Sequence, residues 1–417
     1  MKKILIPGGK FSDLALVNAA HRLGLYVITS GNHPYAPAHP YADEYVCADY
    51  SDKEAMLQLA KDKKIDYMCS CANDYGMLST AYVCEQLGLP GHDSYEVTQI
   101  LHSKDRFKKV CEELNIHTPV SHFFKERDKA IAFIREADKK MIIKPVDNVA
   151  SKGVSAPKSV DEIETAVDEA FANTKSGTIL VEPFLEGYNA TVTSMLIDQT
   201  VVAFFANSYC YYPQGEVLGP EFPVNERCNG ICEPAIHFEE FAPSVIDDFN
   251  KIARYLHLAD GKFHCEIMID KNNNAQIFDV HRRMSGEPVP WHEWNRTIGF
   301  SWEDWIVRAE CGMDLSGFPR GARQNRFLHQ RNIYAPQNGI IKEVILDEYL
   351  TSHLYQKYPG KNYVVKDIFI QDYRHEPINR YGSEFRFEFN NRAEMEYLAD
   401  LETDHFYPHV EFVYEEN

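Results

Sequence analysis

The stretch from Phe263 to Gly286 most constrains this chain, because it reads as strand, turn and strand with an acid on each strand and an arginine beyond them. Residues 263–269 (FHCEIMI) and 275–283 (AQIFDVHRR) flank the turn Asp270 to Asn274, as a hairpin would. Side chains alternate with period 2 along a strand, so Asp279, His281 and Arg283 are expected on one face, with Phe278 and Val280 on the other. Glu266 falls opposite Asp279 in one register of the pair. Hard oxygen ligands beside a guanidinium suit Mg²⁺ and a transferring phosphoryl group. A solvated sheet face is the alternative for this stretch taken alone.

At 417 residues the chain has room for two or three domains, each with its own core. A formal charge of −19 and a pI near 5.3 argue against a nucleic-acid groove, which needs a basic surface. An anionic ligand must therefore be met by a local cluster of Lys and Arg. The N-terminus MKKILIPGG reads as an apolar strand without a signal-peptide core, and no apolar run approaches membrane-spanning length. The expectation is a cytoplasmic protein with neither membrane nor nucleic acid as partner. Ten cysteines are scattered, several in apolar runs (Cys69, Cys71, Cys84, Cys265), as reduced core thiols are. The close pairs, Cys69 with Cys71 and Cys228 with Cys232, lack zinc-site spacing.

Residues 1–96 alternate strand and helix signals: KKILIPG, an amphipathic run from Asp13 to Leu23, YVITSG, a helix from Asp52 to Lys63, DYMCSC and a helix ending at Leu87. That predicts a small parallel-sheet α/β domain. Gly8-Gly9 after the first strand invites a dinucleotide-binding reading. The full G-x-G-x-x-G is missing and the next strand ends in Ser30 rather than a ribose-binding acid, which makes a nicotinamide enzyme a minor alternative.

Beyond residue 97, Ser103 is placed to cap a helix with Phe107, Val110, Cys111 and Leu114 at helical spacing. Its first turns hold Lys104, Arg106 and Lys108, where the helix dipole prefers anions. A bound phosphate would resolve the conflict; a lysine-rich exposed face is the alternative. In MIIKPVDNVASKGVS (141–155) an apolar strand delivers Lys144, and a small polar loop with Ser151, Lys152 and Gly153 follows. Such a loop aims backbone N–H groups at phosphate oxygens, although an ordinary turn has the same look.

The strand TILVEPFL ends at Glu186-Gly187, and an aromatic segment with Tyr209, Tyr211, Tyr212 and Phe222 reads equally as pocket lining or packing. From residue 321 the chain turns β-rich, with RFEF (386–389) alternating charged and aromatic residues and a capping-box pattern at Asn391 and Glu394.

Taken in order, SKDRFKKVCEELNIHTP, IIKPVDNVASKGV, LVEPFLEG and FHCEIMID…IFDVHRRMSG, with NHPYAPAHPYADEYVCADYSD before them, resemble the ATP-grasp superfamily and within it the carboxylate–amine ligases. The tail is similar to the small C-terminal domain of L-amino-acid-ligase-like members, and carbamoyl-phosphate synthase large-subunit-like proteins share the pattern. The resemblance implies a multidomain fold of α/β and α+β parts. These are a Rossmann-like pre-ATP-grasp domain at 1–96, an ATP-grasp domain of two subdomains at 97–320, and a small β-rich C-terminal domain at 321–417.

Matched residue by residue, Lys104 and Lys144 correspond to the lysines that hold ATP phosphates. Residues Asp147 to Val154, with Ser151, Lys152, Gly153 and Val154, correspond to the closing loop. Glu182 and the backbone of Phe184 and Leu185 correspond to the hinge that reads the adenine edge. Glu266 and Asp279 match the metal-binding acids, and Arg283 matches the arginine on the transferred phosphoryl group. Three departures stand out. Asp279 replaces the usual Glu, His281 stands where Asn is usual and is either a metal ligand or a hydrogen-bonding neighbour, and Asn189 replaces a commonly acidic ribose ligand.

The resemblance implies ATP with Mg²⁺ or Mn²⁺, and small-molecule carboxylate and amine substrates. It also implies an ADP-forming ligase that makes an amide or peptide bond through an acyl phosphate, with Lys144 and Arg283 at the reaction. Related proteins are commonly homodimers. Two other readings stay open: a carboxylase-type enzyme that activates bicarbonate, and an ATP-binding sensor without turnover. Specificity is expected from residues 209–222 and from Ser285, Gly286 and Glu287.

Overall fold

The computed structural model describes residues 1–148, 152–211, 228–284, 295–333, 341–358, 383–399 and 407–414. The chain opens with β1 (Lys3–Pro7), α1 (Phe11–Arg22) and β2 (Tyr26–Gly31), followed by β3 (Glu44–Cys47), α2 (Lys53–Lys63), β4 (Tyr67–Met68) and α3 (Asp74–Leu87). The strands pair in parallel in the order β3-β2-β1-β4, as the alternating strand and helix signals predict. Ile4, Leu5, Ile6, Val27 and Ile28 have no exposure, because helices cover both faces of this sheet. Asp52 and Asn73 cap α2 and α3 by accepting backbone N–H bonds.

Two helices, α4 (Tyr95–His102) and α5 (Lys104–Leu114), lead to a three-stranded antiparallel sheet of β5 (His122–Phe124), β6 (Met141–Pro145) and β7 (Ile179–Pro183), in the order β5-β7-β6. It is backed by α6 (Arg127–Glu136) and α7 (Ile163–Ala172), which pack Ile131, Ile134, Val167 and Ala170 against Ile143, Ile179 and Val181. Ser103 occupies the position before α5, but its hydroxyl donates to Asp105 (2.5 Å) and caps no backbone N–H. The neighbouring carboxylate is the stronger acceptor, and it takes the hydroxyl proton.

The largest sheet has eight strands in the order β12-β11-β8-β9-β10-β13-β16-β15. Its members are β8 (Tyr188–Ile197), β9 (Thr200–Tyr211), β10 (Cys228–Glu233), β11 (Gly261–Ile269), β12 (Ala275–His281), β13 (Phe327–Ile333), β15 (Leu354–Tyr358) and β16 (Ser383–Phe389). A separate pair joins β14 (Ile341–Leu346) to β17 (Val410–Tyr414). Strands after residue 321 thus extend the central sheet through the β10–β13 pairing.

One face of the sheet packs on α8 (Phe238–Tyr255) through Val192, Ala206, Cys265 and Ile267. The other face meets α1 and the helix Trp302–Glu310 through Met195, Phe205 and Trp302. The upper part of that second face is polar, and it carries the candidate site. Cys69, Cys71, Cys84, Cys111, Cys232, Cys265 and Cys311 are buried free thiols, and Cys47 is an exposed one.

Candidate active site

The hairpin β11–β12 pairs Glu266 with Asp279 across the sheet. A bulge follows at once: Glu266 pairs Asp279 while Ile267 pairs Ile277, so Phe278 is the extra residue. The period-2 expectation therefore fails at Phe278, which lines the same cavity as Asp279 instead of facing away. Ile277 and Val280 keep to the opposite, apolar face against α8.

That cavity, of ≈ 250 Å³, lies between the three-stranded sheet and the central sheet. Lys104, Lys144, Val154, Glu182, Phe184, Leu185, Asn189, Glu266 and Asp279 all line it, so nine of the residues singled out in the sequence converge on one space. Met268 and Phe278 supply apolar surface, and Lys144 Nζ lies 5.2 Å from the Phe278 ring centroid.

The loop after β6 enters this space as well. Gly153 has φ +73, and a Cβ there would lie 2.7 Å from Asn173 Cβ, so glycine is required for the chain to pass. Ser151 lies outside the described residues, as do Tyr212, Phe222, Ser285, Gly286 and Glu287. Lys152 is described and exposed.

The first-turn cations of α5 find carboxylates. Lys104 Nζ lies 3.5 Å from Asp279 Oδ2, Arg106 pairs with Glu96, and Lys108 Nζ lies 2.9 Å from Glu182 Oε1. Glu182 also holds Lys144 Nζ at 2.8 Å and accepts from Ser121 Oγ at 2.5 Å. Its carboxylate is thus fully engaged by two lysines and a hydroxyl, 1% exposed. Burial works to raise its pKa, but the Lys144 and Lys108 charges outweigh burial and hold it below the ordinary value. Burial in turn lowers the pKa of Lys108, opposed by Glu182.

The hinge between the two sheets is short, running from Pro183 to Tyr188. Gly187 has φ +150, and a Cβ there would stand 2.0 Å from the Ile269 carbonyl oxygen. Only glycine lets the hinge cross the end of β11. The Phe184 N–H donates to Lys140 O at 2.8 Å and is thereby taken up within the fold.

Around the acids the electrostatics are uneven. Glu266 is pushed above its ordinary pKa by burial and by the Asp279 charge facing it. At Asp279, burial is outweighed by Lys104 and His281, and the carboxyl lies below its ordinary value. Two facing carboxylates, one of them beside Lys104, suit a divalent cation that keeps water and phosphate oxygens as its other ligands, as Mg²⁺ does. Among the described residues, no three His, Cys, Asp or Glu side chains converge to hold an ion by themselves.

His281 stands beside two carboxylates. Its Nδ1 lies 2.9 Å from Asp74 Oδ1 and its Nε2 3.6 Å from Asp279 Oδ2, which makes it a bridge between two carboxylates. Asp74, the first residue of α3, was not singled out in the sequence, yet it also accepts from Arg283 Nε at 2.7 Å. Its signal was its place after β4, at the carboxyl end of a parallel strand, where α/β sheets place ligand-binding residues. Asn73 already caps α3, so Asp74 is left for another use. Over the first βα turn, the His39 ring packs on Gly9, where a Cβ would meet its Cε1 at 2.1 Å.

The family of phosphoribosylglycinamide synthetase ATP-grasp (A) domains matches residues 102–210. The chain superposes on the L-amino acid ligase from Bacillus licheniformis with a TM-score of 0.72, covering 100% of this chain and 99% of that one at 19% identity. The chain has the ATP-grasp fold. A second similar structure is phosphoribosylglycinamide synthetase from Anaerococcus prevotii, with a TM-score of 0.69, 18% identity, and 99% and 100% of the two chains covered. In sequence, the chain is 25% identical over 210 residues to the formate-dependent phosphoribosylglycinamide formyltransferase of Rhodococcus jostii, covering 49% of this chain and 52% of that protein. The match thus spans about half the length of that relative.

Proposed function

We propose that this ATP-grasp protein is an ADP-forming carboxylate–amine ligase that joins two small molecules through an acyl phosphate. The observation that supports it is the cavity in which Lys104, Lys144, Glu182, the hinge and the Glu266–Asp279 pair converge, with Arg283 close enough to both acids to feel their charge. In this reading ATP lies in the cavity, with its adenine edge on the Phe184 carbonyl and Leu185 N–H and its phosphates toward Lys104 and Lys144. Asn189, whose Oδ1 is buried without a hydrogen-bond partner in the cavity wall, would take a ribose hydroxyl. Glu266 and Asp279 would hold Mg²⁺, which supplies charge neutralisation on the phosphates. His281 serves as a neighbour that orients Asp279. The residue boundaries 96 and 320 are part of the same proposal.

The chemistry asks for positioning and charge neutralisation rather than an enzyme nucleophile. A carboxylate oxygen of the substrate attacks the γ-phosphorus, the bond to the β-phosphate oxygen breaks, and ADP leaves with that electron pair. The amine nitrogen then attacks the acyl carbon, the C–O bond to phosphate breaks, and inorganic phosphate departs as the amine proton passes to solvent. Arg283, held by Asp74, is placed to stabilise the charge that gathers on the transferred phosphoryl group and on the tetrahedral carbon.

The test is a hydroxylamine trap. Purified protein, ATP and Mg²⁺ are incubated with a panel of carboxylic acids and scored for hydroxamate and ADP. Hydroxamate that depends on one class of acid is the expected result. ATP binding without hydroxamate or ADP from any acid, and without any response to bicarbonate, would overturn the ligase reading.

A further inference from the structure

β12 ends at His281, and His264 with His281 is the last pair of its ladder with β11. Arg283 therefore stands beyond the backbone pairing that fixes Asp279. Asp74 holds its guanidinium, which ties down the tip of the side chain but not the backbone at its root. Arg282, between the two, supplies that second hold.

Arg282 is 9% exposed, and its fork spreads over three acceptors from three segments. Nη1 donates to the carbonyl of Lys262 on β11, the strand of Glu266, Nη2 to Ala259 O at 2.6 Å, and Nε to Asp93 Oδ2 at 2.7 Å. The other oxygen of Asp93 accepts from the Ala259 N–H at 2.7 Å, so carboxylate, loop and guanidinium close a ring. Asp93 belongs to the loop before α4, and its neighbour His92 places Nε2 2.8 Å from Met68 O at the end of β4. On the backbone side, Ser70 Oγ lies 3.4 Å from Arg282 O. The N-terminal sheet and its loops thus grip three consecutive residues: His281 and Arg283 through Asp74, and Arg282 through Asp93 and Ser70.

The same junction is already tied by a buried pair between Lys262 and Glu310. A second buried ion pair gains little net stability once its desolvation is counted. What the guanidinium adds is direction, because a planar fork on three fixed acceptors allows one orientation of the residue that bears it.

We infer that Arg282, held by Asp93, is the positioning residue for Arg283 and sets the backbone from which that arginine reaches the transferred phosphoryl group. The inference rests on the ligase reading for what Arg283 does, and it adds how the root of that side chain is fixed. Arg282 binds a carboxylate and two carbonyls of the protein, so it acts through its neighbour.

The experiment is a double-mutant cycle in the hydroxylamine trap, with wild type, Arg282→Lys, Arg283→Ala and the double variant. Lysine keeps the charge beside Asp93 but is a point donor that does not span both carbonyls. Arg282→Lys should lower turnover by about 10-fold or more with the KM for ATP unchanged. In the Arg283→Ala background the same change should cost nothing further, because the group it aims is already gone. Asp93→Asn should reproduce both results, and it carries the cycle if Arg282→Lys does not fold.

Unchanged turnover in Arg282→Lys would overturn the assignment. So would an equal loss with and without Arg283, since a merely structural residue lowers activity in either background, and so would a loss confined to the KM for ATP. If wild type forms hydroxamate with no acid, the ligase reading fails, and calorimetry then decides the positioning by itself. MgADP is titrated with and without aluminium fluoride, which imitates a phosphoryl group in transfer. A fluoride-dependent gain in affinity that is smaller in Arg282→Lys than in wild type, with affinity for MgADP alone level, upholds the assignment. An equal gain, or no gain in wild type, overturns it.

Discussion

Asp74 Oδ1 accepts from Arg283 Nε at 2.7 Å across 209 residues of sequence, and the same oxygen lies 2.9 Å from His281 Nδ1. Burial opposes ionisation of this carboxyl, but His281 and Arg283 outweigh it and hold its pKa well below the ordinary value. One carboxylate from the N-terminal sheet therefore aims the arginine and the histidine of the hairpin. Asp74→Asn keeps the size and removes the charge. It should lower turnover by about 10-fold or more while leaving ATP affinity in place, because Arg283 loses its fixed orientation. Steady-state kinetics beside a direct ATP-binding measurement checks this; equal turnover would remove Asp74 from the site.

Arg283→Ala should cost about 10²–10³-fold in turnover, the magnitude seen when one donor to a developing charge is removed. ATP binding, read by calorimetry, should change little, since the cavity lined by Lys104 and Lys144 is left intact. A loss confined to ATP affinity would assign Arg283 to nucleotide binding instead.

Glu182 holds Lys108 and Lys144 at 2.9 and 2.8 Å from a position that is 1% exposed. Glu182→Gln leaves Lys108, 3% exposed, without its countercharge, so a destabilisation of about 3–5 kcal/mol is expected. Chemical denaturation measures it. The pKa of Glu182 is depressed in the fold, so its contribution is present above the unfolded carboxyl value and is lost as pH falls through the folded one. The variant and wild type should accordingly converge in stability only at acid pH.

His92 and His329 are held neutral by burial, their pKa values lowered to about 4 and about 3. The unfolded chain binds protons at both sites from pH 6.5 downward while the folded chain does not, so stability falls as pH drops from 6.5 toward 3. Each histidine steepens the loss by about 1.4 kcal/mol per pH unit within its window. Urea midpoints between pH 7 and 4 should show this slope, and His329→Gln should flatten it.

Gly187→Ala places a Cβ 2.0 Å from the Ile269 carbonyl at φ +150, so the hinge must move away from β11. The KM for ATP should rise by about 10-fold or more, with the overall fold retained by circular dichroism. Unchanged ATP kinetics would show that the hinge backbone does not read the nucleotide.

Much of this site is written in short-range pattern. A strand alternates with period 2 and a five-residue turn joins its two halves, so the hairpin that carries Glu266 and Asp279 follows from local chemistry. The same holds for Lys144 at the end of an apolar strand and for the glycine that a crossing hinge demands at Gly187. Three features needed the tertiary structure.

The bulge that brings Phe278 to the cavity arises where two strands meet out of step, which no single strand encodes. The first-turn cations of α5, read as a waiting anion site, are matched by Asp279, Glu96 and Glu182, each from a different element. Asp74 lies on an ordinary helix position, and it gains meaning only from the arginine that faces it. Local sequence determines which way a side chain leaves its strand or helix. Which charge or empty space it then meets is decided by packing between segments hundreds of residues apart, because a Coulomb or hydrogen-bond partner acts over a few ångströms of space, whatever its distance along the chain.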